Sequence, residues 1–561
     1  MAEPASTSAS TDPTGSDSAV PNVPSGAAVP SLFLIAWLVL AVPMFLRMPE
    51  TNDAEMFDLQ AWLIADGGVM YRDVLEPNLP GVVWIHLLVR VIGGSSSEAL
   101  RVYDLLSFSI VMSFGWGLLK MSVASRRAAM WSVFGCSVFY LSTSEWCHCQ
   151  RDMWMLAPAM AGTWLRLKQR ERTESGTSGG RLILWGMLEG LLWGVGIWIK
   201  PYVLLVTVGV WLCTLSRKAG LKRTAADSAG LLAGGLIAGG AGFGWMISAG
   251  AWSHWLDTMQ NWNPRYLQAG RENWTYPRFK VMVIRFLPWF LLHLAAVPIA
   301  LKQLQQRVSG RNAGPDDSSE KPIAIGSAVL ASVYLVWMIH SFLLQHLFDY
   351  VHAPGIVLAI LVCADAVARG RSRTGLQLVV MLFGVVVVAA SPILKLKTVT
   401  TWRECVSGDT TPHLQDRLTH FGNPRRTDLA EIVAFLKQQQ VSGHDVLIFN
   451  SDGVSLYRRM NLKPPSRYAY FFETLIFFPD KRNKVILEAM RNRPRFIVLD
   501  LVSCLEMSGD EAHAVGPAGK HAAPPGYKPR PFFPWKYPVA FRAGSWLVLE
   551  AAEATRAEET E

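Results

Sequence analysis

Charge is scarce in this chain. Of 561 residues only 17% are Asp, Glu, Lys or Arg, against roughly a quarter in a soluble protein of this length. That shortage points away from a globular enzyme with a fully wet surface. Lys and Arg are missing altogether from residues 1–30, MAEPASTSAS to PSGAAVP, which are mostly Ser, Thr, Ala and Pro. Such a stretch cannot build a core and reads as a disordered tail. With no basic n-region, a cleaved secretory signal is not indicated, and Ser31 to Phe45 reads as a retained first span. Also lacking are an internal repeat of the kind many transporters show and, in the C-terminal third, a glycine-rich phosphate fingerprint.

What is present is apolar sequence. The chain is 51% hydrophobic, with 22 Trp and 25 Phe, and short basic clusters separate many of its apolar runs. That pattern fits a polytopic α-helical membrane protein, because a backbone in lipid must satisfy its own hydrogen bonds. About eleven spans are expected, near 31–46, 98–119, 128–143, 152–167, 182–199, 201–216, 225–249, 282–301, 323–344, 353–368 and 374–392. The pair meeting at Lys200-Pro201 also reads as one broken helix. Basic residues fall in alternate loops: Lys120/Arg126/Arg127, Arg166 to Arg181, Arg217 to Arg223, Lys302 to Lys321 and Arg369 to Arg373. The positive-inside rule makes these loops cytoplasmic, and the tail with them. The formal charge of +9 is thereby explained without nucleic acid. The segment 47–97, the region 250–281 and everything after 392 then face outward, and a bacterial inner membrane is the expected setting.

The first outward segment holds most of the unusual residues. In TNDAEMFDLQAWLIADGG four carboxylates, Asp53, Glu55, Asp58 and Asp66, lie within fourteen positions, while Met56, Leu59, Trp62 and Leu63 keep helical spacing. The spacing predicts an amphipathic helix on the membrane surface. GVVWIHLLVRVIGG, with Arg90, predicts a second interfacial helix packed against the bundle. Asn52 followed by Glu55 fits a capping box, which would account for Glu55 and partly for Asp53. It does not account for Tyr71-Arg72-Asp73 and Glu76-Pro77-Asn78-Leu79-Pro80 downstream.

NDAEMFDLQAWLIADGGVMYRDVLEPNLPG resembles the first external loop of polyprenyl-phosphate-dependent glycosyltransferases of the GT-C superfamily, which includes protein O-mannosyltransferases (glycosyltransferase family 39) and lipid A aminoarabinose transferases. Members carry an acidic pair after the first span, a small-residue turn, Tyr-Arg-Asp and a Pro-containing run. Here the pair is split as Asp53-Ala54-Glu55, which weakens the match at Glu55 more than at Asp53. Arg151-Asp152 in SEWCHCQRDM, Lys200-Pro201 after GLLWGVGIWI, and QHLFDYVHAP are similar to later features of the family, in the same order over residues 31–390.

The resemblance implies a GT-C-like catalytic domain over 31–392 that moves a sugar from a polyprenyl-phosphate donor to an acceptor hydroxyl. The acceptor is a protein, lipid or glycan. It further implies an inverting reaction with Asp53 as general base and Glu55 and Asp152 as further acids. A carboxylate suits a base that deprotonates the attacking hydroxyl, and fixed cations suit the departing phosphate. For that phosphate the candidates are Lys200, an ionisable group in apolar sequence, and then Arg72 and Arg90. Tyr71, Asp73, Glu76, His346, Tyr350 and His352 are candidate acceptor or sugar contacts. Several have a plainer reading: Asp152 as an interfacial partner of Arg151, Lys200 snorkelling, Arg72 and Arg90 at lipid headgroups, and the His346–His352 group as a polar rim. No metal set is assigned, and a divalent cation is left open. Cys147-His148-Cys149 lacks the ligand number and spacing of a zinc site. The aromatics of 250–281 read first as a membrane belt.

After Pro392 the spans stop. TDLAEIVAFLKQQQ predicts a helix with an Asp428/Glu431 capping box, HDVLIFN a strand, NKVILEAMRNRP a helix, and RFIVLDLV and GSWLVLEA strands. This is an extracytoplasmic α/β domain over 393–561. Cys405 and Cys504 are read either as a disulfide or as two thiols. The competing function is a transporter or lipid flippase of cell-envelope precursors, which would also need charge in the membrane, though here the acids sit in a loop. A non-catalytic assembly factor is a third reading.

Overall fold

The computed structural model describes residues 28–123, 126–272, 274–312, 325–345, 348–369, 384, 398–419, 424–504 and 532–551. The chain runs through α1 (Ala28–Arg47), α2 (Asn52–Ala65), α3 (Gly81–Gly93), α4 (Ser97–Val123), α5 (Arg126–Ser142), α6 (Arg151–Glu174), α7 (Gly179–Ile199) and α8 (Val203–Thr214). It continues through α9 (Leu221–Ser248), α10 (Trp252–Asn261), α11 (Asn263–Glu272), α12 (Tyr276–Arg285), α13 (Leu292–Asn312), α14 (Ile325–Ile339) and α15 (Asp349–Arg369). By length and composition six of these can cross a membrane: α1, α4, α7, α9, α14 with its π-helical continuation to Leu344, and α15. Exposed Leu32, Phe33, Ile35, Leu236 and Leu294 give the bundle an apolar outer face, as an integral membrane protein requires.

The expected span at 282–301 is broken instead, with α12 and the helix starting at Trp289 bent by 105°, and would make a seventh if counted as one. Pro288 stands in the break and supplies no N–H to continue a helix. α5 and α8 fall on expected segments but have only 17 and 12 residues. The expected span 374–392 lies, except for residue 384, outside the described residues.

Close packing needs small residues. α7 and α9 lie backbone against backbone: a Cβ on Gly190 would strike the Leu231 carbonyl, and one on Gly234 the Met187 carbonyl. Arg166, assigned by sequence to a basic loop, is instead buried in α6, where its Nη2 donates to both Asp227 oxygens at 2.6 Å and ties α6 to α9. Helix α6 runs on to Glu174, so Lys168, Arg170 and Arg172 are on its last turns.

The C-terminal sheet has the order β1 (Val446–Ile448), β2 (Phe496–Asp500), β4 (Trp546–Glu550), β3 (Val539–Ala543). β1 and β2 are parallel; the other pairs are antiparallel. Val446, Ile448, Val498 and Val548 pack on Leu429, Ile432 and Leu436 of the helix Arg426–Gln438. Leu447, Ile497, Leu499 and Leu547 turn to Val485 and Ala489 of Arg482–Met490 on the other face. Burial on both faces is why these strands read as unbroken apolar runs. β3 was not expected. It is joined to β4 through Gly544-Ser545, where Gly544 has φ 55°.

Three local expectations are corrected, and one open alternative is decided. Helix α2 does not lie open on a surface: Met56, Leu59 and Leu63 join the core of the sheet domain, while Ala54, Phe57 and Ala61 pack on Val82, Val83, Trp154 and Trp198. It is apolar on two faces and enclosed on both. Its cap is Thr51, whose Oγ1 accepts from Ala54 N at 3.3 Å, not an Asn52/Glu55 box. The helix Arg426–Gln438 is capped from outside by Asp416, which accepts from the Thr427 N–H at 3.2 Å and its hydroxyl at 2.6 Å. Cys405 belongs to the membrane-side core cluster, whereas Cys504 follows β2 and meets the Asn450 side chain, so the two are not joined.

Candidate active site

Asp53 is the second residue of α2, held in the first turn by the Thr51 cap. Its own N–H bonds Asn52 Oδ1 at 3.1 Å, and its carboxylate accepts from the Tyr470 hydroxyl at 3.2 Å. Arg151 from the start of α6, Tyr350 from α15 and Lys200 also face this carboxylate. Burial raises the Asp53 carboxyl above its usual range; Arg151, then the Tyr470 and Tyr350 hydroxyls, then Lys200 pull it part of the way back.

Lys200 is where it is because of Pro201. A residue before proline is pushed to extended backbone, and Lys200 has φ −157° and ψ 120°, so α7 stops there and α8 begins at Val203. At this break Lys200 Nζ donates to Asp152 Oδ1 at 2.7 Å and Oδ2 at 2.8 Å. Both side chains are buried. Asp152 therefore pairs with Lys200, not with its neighbour Arg151. Among the described residues Arg151 makes no ion pair; its guanidinium lies 5.9 Å from the Phe57 ring centroid and faces Tyr350, Asp152, Tyr266 and Glu76. A partly exposed cation thus acts on a partly exposed carboxylate, with the Tyr470 and Tyr350 hydroxyls also turned to the latter.

The other sequence candidates are placed as follows. Glu55 is buried and paired with Arg426, which also donates to the Glu50 carbonyl. Arg90 sits in a separate charge cluster, donating to Asp58 at 2.5 and 2.9 Å and to Glu50 at 3.0 Å, with His86 and Arg458 on the same Asp58. Arg72 is half exposed and closes on Asp73, which also caps the Val69 N–H at 2.7 Å. Tyr71, at φ 66°, bonds the Asn78 carbonyl at 2.8 Å. Buried Glu76 accepts from Gln60 at 2.7 Å and Asn78 N at 2.9 Å, and Arg151 faces it. Burial raises Glu76, with Gln60 and then Arg151 opposing it. His352 is buried with its ring 4.5 Å from Phe342. His346 is outside the described residues.

Tyr470 and Tyr266 were not singled out by sequence. Tyr470 stands more than four hundred positions from Asp53, and no local pattern marks it. Among the described residues no set of three or more His, Cys, Asp or Glu is placed to hold a metal ion.

No protein-family model matches the chain, and no curated protein matches it. Two solved structures of Archaeoglobus fulgidus superpose on it distantly. One is the oligosaccharyltransferase in complex with Zn and sulfate, at TM-score 0.44 and 12% identity over 85% of this chain and 68% of that one. The other is the oligosaccharyltransferase AglB with an inhibitory peptide and a dolichol-phosphate, at 0.43 and 12% over 85% and 70%. Likeness at this level says nothing of substrate.

Proposed function

We propose that the chain is a membrane glycosyltransferase of the GT-C type, moving a sugar from a polyprenyl-phosphate donor to an acceptor hydroxyl. The observation that carries the reading is the Asp53 carboxylate facing Arg151 and Lys200 where α2, α6, α7 and α15 meet. In this reading the basic clusters mark the cytoplasmic end, and the reaction takes place at the opposite, extracytoplasmic end. The order of sequence motifs described above adds to it.

Asp53 acts as general base. Burial raises the Asp53 carboxyl above its usual range, and a carboxylate so raised is a stronger base than an exposed one. As the acceptor oxygen bonds to the anomeric carbon, its proton passes to Asp53 and the bond from that carbon to the donor phosphate oxygen breaks. Attack opposite the leaving group inverts the centre. The phosphate departs with added negative charge, and Arg151, which makes no ion pair among the described residues, is the cation that meets it in this reading. Lys200 contributes less while it stays paired with Asp152. Fixing Lys200 is then the role of Asp152.

The test is turnover of a panel of polyprenyl-phosphate sugars by the full chain in nanodiscs, with envelope extract as acceptor. Asp53→Asn should lower consumption by roughly 10²–10⁴-fold with binding of the donor kept. Equal consumption by both proteins would remove Asp53 from the chemistry. No consumption of any donor would favour the transporter.

A further inference from the structure

Gln150 stands between the two helix starts that carry the Asp53 carboxylate and the Arg151 guanidinium. Its main-chain carbonyl accepts the first bonds of α6, from Met153 N at 3.1 Å and Trp154 N at 3.2 Å. Its side chain crosses to the other helix: Nε2 donates at 3.3 Å to Thr51 Oγ1, the oxygen that caps α2. Both residues are buried, Gln150 at 1% exposure and Thr51 at 4%. We propose that Gln150 is a positioning residue of the transfer site, which fixes Arg151 relative to Asp53 by tying the start of α6 to the start of α2. This rests on the glycosyl-transfer reading above.

The link is short. Arg151 follows Gln150 directly, and only Asn52 separates Thr51 from Asp53. A threonine oxygen has two lone pairs, so it can accept from the Ala54 N–H and the Gln150 amide together. The turn that delivers the glutamine is itself held. Cys149 has φ 55°, a left-handed backbone that strains a residue with a Cβ and persists only where its surroundings fix it. Its N–H faces the buried Asp104 carboxylate of α4. That carboxylate also accepts from the Tyr140 hydroxyl at 2.8 and 2.9 Å and from Trp154 Nε1 at 2.7 Å. Helices α4, α5 and α6 thus share one acceptor beneath the turn.

What the link governs is the placement of a cation beside a base. Burial raises the Asp53 carboxyl, and Arg151 is the first group to oppose it, followed by Tyr470, Tyr350 and Lys200. Tyr266 and Asp452 face it as well. Of these groups Arg151 alone is attached to the Gln150 turn, so a change confined to the link reaches Asp53 through Arg151. A misplacement of about 1 Å can slow a reaction by roughly a hundredfold.

The experiment replaces Gln150 with Met in the full chain in nanodiscs. Met is unbranched and fills the same kind of space, and both helices keep their caps, from the carbonyl of residue 150 and from Thr51. Only the link is lost. Carbodiimide couples an amine to a carboxyl in its protonated form. The pH of half-maximal labelling of Asp53, read by mass spectrometry, therefore follows its titration with no sugar present. With Arg151 less firmly held, that midpoint should rise by about 0.5 unit or more, and kcat for donor consumption should fall about tenfold with KM kept within about threefold. In a Thr51→Val background, which has no oxygen to receive the amide, Gln150→Met should add nothing further to either. Thr51→Ser keeps that oxygen and should leave the midpoint in place. A midpoint unmoved by Gln150→Met overturns the assignment, as does a full second shift in the Thr51→Val background. Turnover by Gln150→Met at the wild-type rate also overturns it and leaves glycosyl transfer standing. A moved midpoint in a chain that consumes no donor in either form keeps Gln150 as the residue that sets Arg151 against Asp53 and removes the transferase reading.

Discussion

The contact between Glu55 and Arg426 gives a demanding test of how the sheet domain is held. Both side chains are buried, at 7% and 4% exposure, and Arg426 also serves the Glu50 carbonyl. Removing one partner of a buried ion pair leaves the other charged and unpaired, which costs about 3–5 kcal/mol. Replacing both with an apolar side chain removes both charges and leaves only the Glu50 carbonyl short of a partner, about 1–2 kcal/mol. Arg426→Met and Glu55→Met should therefore each be severe, and the double variant close to wild type. Hydrogen exchange in nanodiscs reads this directly at the amides of α2 and of the helix Arg426–Gln438. Either single change should speed exchange there by roughly a hundred- to several-thousand-fold, and the double change by about tenfold, since 1.4 kcal/mol is one decade. The double variant should also keep donor turnover, because Glu55 then has a structural task and no chemical one. A double variant as loose as the sum of the singles would refute the ion-pair argument. A tight double variant without turnover would return Glu55 to the chemistry.

Three further outcomes are expected. Tyr470→Phe removes a donor that favours the charged form of Asp53, so the carboxyl rises further and the acid limb of kcat/KM moves to higher pH; an unmoved limb would separate Tyr470 from the base. Asp58 is raised by burial but held down to about 2, against an ordinary 3.8, by His86, Arg90 and Arg458. Its folded value is the lower one, so it contributes about 2 kcal/mol above pH 4 that is lost as pH falls through 2, and acid denaturation of Asp58→Asn should lack that slope. Gly234→Leu should force α7 and α9 apart and cost several kcal/mol in a thermal melt. Gly235→Leu, whose Cβ meets nothing within 4 Å, should cost nothing measurable.

Sequence reading reached the parts of the molecule governed by local pattern. Apolar runs marked the bundle, and continuous Val/Ile/Leu runs marked β1, β2 and β4. Four residues from separate stretches, Asp53, Asp152, Lys200 and Tyr350, come together in one group. What was missed depended on distant partners. The Asn52/Glu55 capping pattern was present, yet a buried guanidinium from the far end of the chain competes better for that carboxylate than a helix terminus does. The period of α2 showed one apolar face, but small Ala54 and Ala61 on the other face can also be buried, and composition alone does not say so. β3 is short and alternates weakly, and its signal was the two-residue Gly544-Ser545 turn. Arg166 looked like one more loop cation because nothing nearby in sequence announces Asp227.

The enclosure of α2 has a consequence for biosynthesis. Glu55 leaves the ribosome 371 residues before Arg426. While the intervening helices are being inserted, Met56, Leu59 and Leu63 have no sheet domain to cover them. During that interval the helix must rest in the lipid headgroups or on a chaperone. Docking of the last-made domain is then the step that lifts it from its temporary berth and completes the surroundings of Asp53.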